Sequence, residues 1–241
     1  MRRIIIMNSK GGCGKTTITT NLASCYAVNG FRTALLDYDP QGSSTAWLKL
    51  RQDMPEIHGV AAYRNTDTNV TRAWQLRVPP HCECTIIDTP AGLTGMDLVK
   101  QVQGVDTIII PVLPSLLDIH ATADFIRDLL LIGHTRRQNI RIGIIANRVK
   151  ANTQALNQLQ RFLHQLDIPV IAYLRDTQRY LHATEHGAGV HEISARDAET
   201  WNTILNWLEH NNQPQSNGHG SLEANGSSAR TAAAVSSALA P

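Results

Sequence analysis

The sequence predicts an α/β fold, a single domain in which a mostly parallel, twisted sheet is covered by helices on both faces. Apolar, β-rich runs recur along the chain, helical patterns lie between most of them, and a glycine-rich loop follows the first run. Continuous apolar strands that alternate with helices are typical of a parallel sheet buried on both faces. The predicted strands are 2–7, 32–37, 84–88, 107–112, 140–146 and 169–174, and the predicted helices are 16–29, 94–103, 119–131, 152–166 and 195–210.

The glycine-rich loop, residues 9–17, reads Ser-Lys-Gly-Gly-Cys-Gly-Lys-Thr-Thr. A strand pattern precedes it and a helical pattern follows, which is the setting of a phosphate-binding loop. Glycines let backbone N–H groups point at phosphate oxygens, and the helix adds the positive end of its dipole. In such a loop Lys15 reaches the β- and γ-phosphates and Thr16 ligates Mg²⁺. The fold is therefore predicted to be a P-loop NTPase domain, and its predicted nucleotide-binding residues here are Lys10, Gly11, Gly12, Cys13, Gly14, Lys15, Thr16 and Thr17.

The loop departs from the standard pattern at its first position. Ser9 stands where the pattern has glycine, and a second lysine, Lys10, precedes the paired glycines. A loose glycine-rich pattern also arises by chance, but here the strand, loop and helix agree with one another.

The length of 241 residues suffices for one sizeable core, and we expect one domain over residues 1–210. Residues 211–241 are mostly small or polar, so they cannot bury enough apolar area to offset the entropy of ordering. We predict a disordered C-terminal tail there, with a partner-binding element inside it as the alternative. Segment 52–77 is polar and short of periodicity, and we expect a surface excursion with one short helix.

Composition excludes several classes of protein. The net charge is only +2, so any case for nucleic-acid binding depends on local clustering. The four cysteines, at positions 13, 25, 82 and 84, lack the spacing of a zinc or redox site, which favours free thiols in a reducing cytosol. The first apolar run is too short for a signal peptide, and no stretch reaches the roughly 18 apolar residues of a membrane span. We expect a cytoplasmic protein with no membrane partner.

Three aspartates follow predicted strands at the expected nucleotide edge. Asp88 closes its strand before Thr-Pro-Ala-Gly, where a carboxylate suits an outer-sphere Mg²⁺ contact; capping of the next turn is the alternative. Asp37 and Asp39 lie in Asp-Tyr-Asp-Pro-Gln-Gly, and strand alternation sends both carboxylates to the same side. One would contact the water shell of the metal and the other would position the attacking water, although the segment also has the composition of a solvated turn.

Together, Lys-Gly-Gly-Cys-Gly-Lys-Thr-Thr, Asp-Tyr-Asp-Pro-Gln-Gly and Ile-Ile-Asp-Thr-Pro resemble the motifs of the ParA/MinD family of deviant Walker-A ATPases. The resemblance covers about residues 2–210 and is closest to the short ParA type, which lacks an N-terminal helix-turn-helix domain. It implies ATP and Mg²⁺ as cofactors and an ATP-sandwich homodimer in which Lys10 contacts the phosphates bound by the other subunit. It also implies that Asp39 supports hydrolysis and that Asp37 and Asp88 serve, with Thr16, the magnesium site.

Some features separate the members of this family. The Ala-Gly after Pro90 is MinD-like, whereas Pro-Val-Leu-Pro-Ser at 111–115 is ParA-like. MinD proteins end in a basic amphipathic helix, which residues 229–240 do not match. Cys82 and Cys84 lie before and at the start of their strand and not after it, unlike the cluster cysteines of the nitrogenase iron proteins. A membrane-associated regulator and a metallocluster-carrier ATPase are therefore the two alternatives to a ParA-like function.

Asn147 and Arg148 follow the predicted strand 140–146 and resemble the adenine-edge position of the family. An Asn amide donates and accepts at once, as a base edge requires, although Asn also commonly terminates a strand. Residues 174–176, Leu-Arg-Asp, resemble the family segment near the adenine.

Residues 129–166 contain no Asp or Glu across 38 positions. Such a one-signed stretch supports sequence-independent binding to DNA phosphates, whereas a solvated basic face is the alternative. The candidate DNA-binding residues are Arg136, Arg137, Arg141, Lys150, Arg161 and Arg179.

The resulting hypothesis is a weak ATPase that dimerises on ATP, binds the nucleoid non-specifically and positions or partitions a cargo. Release would follow hydrolysis stimulated by a ParB-like protein or a cargo adaptor. The cargo classes are a plasmid, a chromosome region or a protein assembly. Segment 174–180, Leu-Arg-Asp-Thr-Gln-Arg-Tyr, favours the positioners of protein cargo, including the carboxysome type.

Overall fold

Seven strands and eight helices make up most of the described residues, which are 1–64, 76–132, 135 and 139–210 of the computed structural model. The strands are β1 (Arg2–Ile6), β2 (Thr33–Asp37), β3 (Ile57–Ala61), β4 (Cys84–Asp88), β5 (Thr107–Val112), β6 (Arg141–Val149) and β7 (Val170–Arg175). The helices are α1 (Lys15–Val28), α2 (Ser43–Leu50), α3 (Gly95–Val102), α4 (Leu116–Leu131), α5 (Gln154–His164), α6 (Arg179–Glu185), α7 (Val190–Ile193) and α8 (Ala195–His210).

All seven strands are parallel and form one sheet in the order β3-β2-β4-β1-β5-β6-β7. After β1 the chain builds one half of the sheet with β2 to β4, and it then crosses to build the other half with β5 to β7. The order therefore reverses at β1, and ligands of open α/β sheets bind beyond the carboxyl ends of the strands at such a point. The loop that follows β1 lies there.

Alternating residues of the strands feed two separate cores, one on each face of the sheet. Ile5 of β1 packs in the core beneath α3, α4 and α5, together with Leu98 and Phe125. Ile4 and Ile6 pack in the opposite core, which α1 and α8 cover. Burial on both faces explains the continuous apolar runs, because neither side of these strands contacts water. The predicted α/β fold with helices on both faces is confirmed.

Four of the helices begin in two different ways. The Ser115 side chain caps α4 by accepting a hydrogen bond from Asp118 N at 3.2 Å, and Thr153 caps α5 by accepting one from Leu156 N at 3.3 Å. Helices α1 and α2 instead follow glycines in the left-handed conformation, Gly14 and Gly42, with no side-chain cap. The first N–H groups of α1 are consequently left for another acceptor. None of the helices in the described ranges combines the length and the apolar character needed to cross a membrane.

The sequence did not predict β3, α2, α6 or α7. Strand β3 lies at the edge of the sheet and only its first residue is fully buried, so it lacks a continuous apolar run. The expectation of a surface excursion over 52–77 is therefore wrong for Ile57–Ala61, which pairs with β2. The short helix expected there, insofar as it falls on 65–75, and the tail 211–241 lie outside the described residues.

A buried ion pair ties three helical segments together on the face covered by α1. Arg51, just after α2, binds Glu192 of α7 through two hydrogen bonds of 2.9 and 3.0 Å, and the two side chains are only 3% and 14% exposed. Ser24 of α1 and the backbone N–H of Gly189 donate to the same carboxylate. Burial alone would raise the pKa of Glu192, but these hydrogen bonds outweigh it and lower the pKa.

We expect Glu192→Gln to destabilise the fold by about 3–5 kcal/mol, because it leaves the Arg51 guanidinium buried without its counter-ion. Urea denaturation followed by circular dichroism measures the change. The matched control is Asp124→Asn, which removes a carboxylate from an exposed pair with Arg127 and should cost about 0–1 kcal/mol. Equal stabilities of the two variants would contradict a structural role for the buried pair.

Candidate nucleotide-binding site

The loop between β1 and α1 has the backbone geometry of an anion cradle. Gly12 and Gly14 have φ angles of 75° and 95°, in the left-handed region that glycine adopts readily. The Lys15 Nζ donates to Lys10 O at 3.1 Å, and the Cys13 thiol donates to the same carbonyl at 3.2 Å. Lys15 is 6% exposed, so its positive charge lies inside the loop. A charge held there, beside the uncapped N-terminus of α1, attracts phosphate.

Neighbouring strands hold the start of this loop in place. The buried Asn8 side chain donates to Pro111 O at 2.8 Å and to Thr122 Oγ1 at 3.0 Å, and it accepts from Lys10 N at 3.3 Å. Gly92, in the loop after β4, donates its N–H to Ser9 O at 2.9 Å. The loop is thus fastened to segments on both sides of β1.

Asp88 lies at the floor of the site. It is fully buried and stands level with Ile6 of β1 and Asp37 of β2 in the strand register. Its Oδ1 accepts from Thr19 Oγ1 at 3.3 Å, whereas its Oδ2 has no hydrogen-bond partner within the described chain. Burial raises the pKa of Asp88 to about 7; the Thr16 hydroxyl partly opposes this and the charge of Asp37 adds to it.

Asp37 is also fully buried, but its carboxylate is engaged. Its Oδ2 accepts from Thr45 N and Thr45 Oγ1, each at 2.9 Å, and its Oδ1 accepts from Asp39 N at 3.1 Å. Asp37 therefore fixes both the turn after β2 and the first turn of α2. A carboxylate offers about four acceptor positions, so one remains for a water of a metal ion.

Asp39 lies in the same turn and is only partly buried. Its Oδ1 accepts from Gln41 N at 3.0 Å, which is an Asx turn that fixes the side chain. Unlike Asp37 and Asp88, this residue is partly exposed to solvent.

The residues at this edge fit a Mg²⁺ ion bound with phosphate. The Asp88 Oδ2 has no well-formed hydrogen bond in the part of the chain described, and the Thr16 and Ser44 hydroxyls lie close enough to this carboxyl to lower its pKa. Hard oxygen donors of this kind suit Mg²⁺, which keeps several of its waters. A cation here would also favour the ionised form of Asp88.

A groove of about 390 Å³ lies beside the loop. Its walls bring together Thr17 of α1, Asn147 and Arg148 of β6, and residues from the end of β7 and from α6. The latter are Arg175, Asp176, Thr177, Gln178, Tyr180, Leu181 and Thr184. The two segments that the sequence associated with the adenine thus line one groove, next to the phosphate-binding loop.

Asn147 connects this groove to the loop. Its Nδ2 donates to Cys13 O at 2.8 Å and its Oδ1 accepts from Arg148 N at 2.9 Å. The strand register shifts between Ala146 and Val149, and Arg148 has a φ of 51°, which turns this short segment toward the loop. Both polar atoms of Asn147 already have one partner, so a base contact would use its remaining donor and acceptor capacity.

Part of the site was not predicted from the sequence. Tyr180, Leu181 and Thr184 of α6 line the groove, and Ser44 of α2 lies beside Asp88. The contact of Thr19 with Asp88 could have been predicted, because Thr19 follows Thr16 by three residues and therefore lies on the same face of α1. Helix α6 is too short to show a period.

The structure separates the predicted DNA-binding residues into three groups. Arg136 and Arg137 lie outside the described residues. Arg161 is exposed, and Lys150 is exposed while paired with Asp176 at 3.2 Å. Arg141 and the half-exposed Arg179 bind partners within the described chain.

Arg141 does not support the DNA prediction. Its guanidinium lies 4.2 Å from the Trp207 ring centroid and donates to Trp207 O and Leu208 O, so it secures the end of α8.

Arg179 donates to Ser194 and to the buried Asp197, which also binds Arg175. Burial would raise the pKa of Asp197, but hydrogen bonds from Ser194, Arg179 and Arg175 lower it. Arg175 and Arg179 thus hold β7 and α6 against α8. The DNA-binding prediction did not include these contacts, because the spacing of basic residues in the sequence does not show which of them pair with an acidic residue of the same chain.

Comparison with known proteins matches residues 4–190 to the CobQ/CobB/MinD/ParA nucleotide-binding domain family. Maintenance of carboxysome distribution protein A from Halothiobacillus neapolitanus is 29% identical over 209 residues, which cover 84% of this chain and 94% of that protein. The ATP complex of a Cyanothece McdA variant is similar in structure, with a TM-score of 0.65 at 15% identity over 89% of this chain and 99% of that chain. MinD of Pyrococcus horikoshii with Mg-ADP has a TM-score of 0.60 at 17% identity, over 87% and 96%. At these identities the solved structures establish a shared fold.

We expect Gly14→Ala to weaken nucleotide binding at least tenfold. A Cβ there would clash with Asn147 Nδ2, which its hydrogen bond to the carbonyl of Cys13 holds in place, so the loop must shift. Titration with a fluorescent ATP analogue measures the affinity. Gly30→Ala is the control, because Gly30 has a similar φ of 85° but meets nothing within 4 Å. That variant should lose some thermal stability and keep its affinity, and an unchanged affinity in Gly14→Ala would contradict the packing of Asn147 on the loop.

Proposed function

Because this chain belongs to the CobQ/CobB/MinD/ParA nucleotide-binding family, we propose that it is a Mg²⁺-dependent ATPase whose dimerisation is controlled by ATP. In the ATP-bound state the dimer binds nucleoid DNA without sequence preference, in the cytoplasm. A partner protein stimulates an otherwise weak hydrolysis, and the dimer then separates and leaves the DNA. This cycle positions a cargo.

The position of Lys10 carries the proposal. Its carbonyl accepts from Lys15 and Cys13 inside the loop, while its side chain is partly exposed and has no acidic partner among the described residues. The backbone of Lys10 therefore shapes the phosphate site of its own subunit. Its ammonium group, which has no acidic partner among the described residues, is available to contact the nucleotide of a second subunit. Such a contact neutralises phosphate charge and makes the dimer depend on ATP.

The remaining residues have complementary roles in this proposal. Lys15 and the N-terminus of α1 bind the phosphates, and Thr16, Asp88 and Asp37 hold the Mg²⁺ ion and its waters. The ion would neutralise phosphate charge. Asp39, fixed by its turn and bordering solvent, orients the attacking water. The groove that contains Asn147 and Arg148 takes the base.

The proposed DNA surface is narrower than the sequence indicated. It retains the exposed Lys150 and Arg161 and the acid-free stretch around Arg136 and Arg137, and it leaves out Arg141 and Arg179. Binding would act on phosphates through release of counterions, so it should weaken steeply with salt.

Among cargo classes we favour a protein assembly of the carboxysome type. The match to a carboxysome distribution protein extends over 94% of that protein, and segment 174–180 pointed to the same class. A cargo adaptor would then be the partner that stimulates hydrolysis.

We expect Asp39→Ala to lower ATP hydrolysis about 100-fold or more and to trap the ATP-bound dimer on DNA, since the attacking water loses its orienting group. Phosphate release and DNA retardation with ATP and with ADP measure the two effects. Asp97→Ala, on the exposed surface of α3, is the control and should hydrolyse and release as the unmodified chain does. Retardation that ignores the nucleotide, or binding to liposomes in place of DNA, would overturn the proposed cycle.

We expect Lys10→Ala to remain monomeric with ATP, because the phosphates of the second site lose their cation in trans. Size-exclusion chromatography of the variant, with and without ATP, tests this. Lys49→Ala removes an exposed lysine from α2 and should dimerise normally. An ATP-dependent dimer of Lys10→Ala would reject the trans role of this lysine.

A further inference from the structure

We propose that His182, Glu185 and His186 form a binding site for a divalent transition metal ion of the Zn²⁺ class. The three side chains lie on the exposed surface of α6 and its C-terminal cap, outside the phosphate-binding loop. Their candidate ligand atoms all lie within 4.8 Å of one another, and among the described residues this is the one such group of three.

The spacing places both imidazoles on one side of the helix. Residues four apart are neighbours on a helix surface, and the His182 and His186 ring centroids are 4.6 Å apart. Glu185 reaches the same place, with its Oε2 4.0 Å from His182 Nδ1. Two imidazoles and a carboxylate are a donor set that favours Zn²⁺, Ni²⁺ or Cu²⁺ over Mg²⁺.

A hydrogen bond prepares His186 for this role. Its Nδ1 lies 2.8 Å from the His182 carbonyl oxygen, and because that oxygen can only accept, the ring donates from Nδ1. In the neutral imidazole the lone pair is then on Nε2, which is free to bind a metal. Donation from the other ring nitrogen to a backbone carbonyl is the usual support of a metal-bound histidine.

The backbone that carries the site is held in place. Three backbone hydrogen bonds of 3.0–3.2 Å cap the C-terminal end of α6, which carries His186. They run from His186 N to Ala183 O, from Gly187 N to Thr184 O and from Ala188 N to Ala183 O. Arg179 fastens the other end of the helix to Asp197 of α8. Such a scaffold reduces the entropy lost when the ligands are fixed on an ion. An ion bound here would in turn stabilise a seven-residue helix that is too short to be stable alone.

Among the described residues, few other sites compete for Zn²⁺. All four cysteines are buried, and the carboxylates of the nucleotide site are oxygen donors that suit Mg²⁺ better. His210 offers a matched comparison, since its Nδ1 also lies near the carbonyl four residues earlier, at 3.1 Å from Asn206 O. At that position, however, the residue four earlier is an asparagine and not a second histidine.

The test is calorimetric titration of the tag-free, chelator-treated full chain with ZnCl₂ in excess Mg²⁺ and without nucleotide. We expect one Zn²⁺ per chain at this site, with the affinity lowered about 10- to 100-fold by His182→Gln or by His186→Gln. His210→Gln should bind as the unmodified chain does. Zn²⁺ should also raise the thermal midpoint of the unmodified chain and not that of the double variant His182→Gln/His186→Gln.

Because the three side chains are exposed, these variants should fold, and their circular dichroism checks this. Absence of saturable Zn²⁺ binding in the unmodified chain would overturn the proposal. An undiminished affinity in the double variant would do the same. Neither result depends on ATP hydrolysis.

Discussion

The position of β1 at the point where the strand order reverses is the constraint on which the rest of the structure depends. Parallel pairing brings the carboxyl ends of β1, β2 and β4 to one edge, with Ile6, Asp37 and Asp88 at the same level of the register. The glycine-rich loop leaves β1 at this edge, where its Thr16 hydroxyl lies beside Asp88. The two hydrophobic cores hold the sheet in place, and the loops that follow the carboxyl ends of its strands contain the candidate site residues.

Within the site, buried polar groups divide into those that are satisfied and those that are not. Asp37 and Asn8 form hydrogen bonds with backbone groups of neighbouring segments. They thereby determine the shape of the loops that follow β2 and β1. Asp88 Oδ2 and the first amides of α1 lack such partners in the described structure. Unpaired buried atoms also occur elsewhere in the described residues, for example Thr85 Oγ1 and Trp201 Nε1. It is therefore the position of Asp88 and the α1 amides beside the glycine-rich loop, and not their number, that indicates where a ligand binds.

Local patterns predicted much of this structure from sequence. The loop, the three aspartates and five of the helices follow from residues close together in the chain, where spacing determines geometry. The arginines show where this reasoning fails, because whether Arg141 faces DNA or stacks on Trp207 depends on a helix 66 residues further along. Strand β3 was missed for a related reason, since an edge strand needs only one buried face. Tertiary partners, and not propensity, decide both cases.

The hydrogen bond from Asn147 to Cys13 O has a consequence for how such an enzyme can evolve. In the proposed function, this one side chain lines the groove for the base and at the same time supports the loop for the phosphates. A substitution that altered the choice of base at this position would also loosen the grip on the triphosphate. Base selectivity and phosphate affinity would therefore change together. A change in which nucleotide the protein prefers would require a second, compensating substitution in the loop.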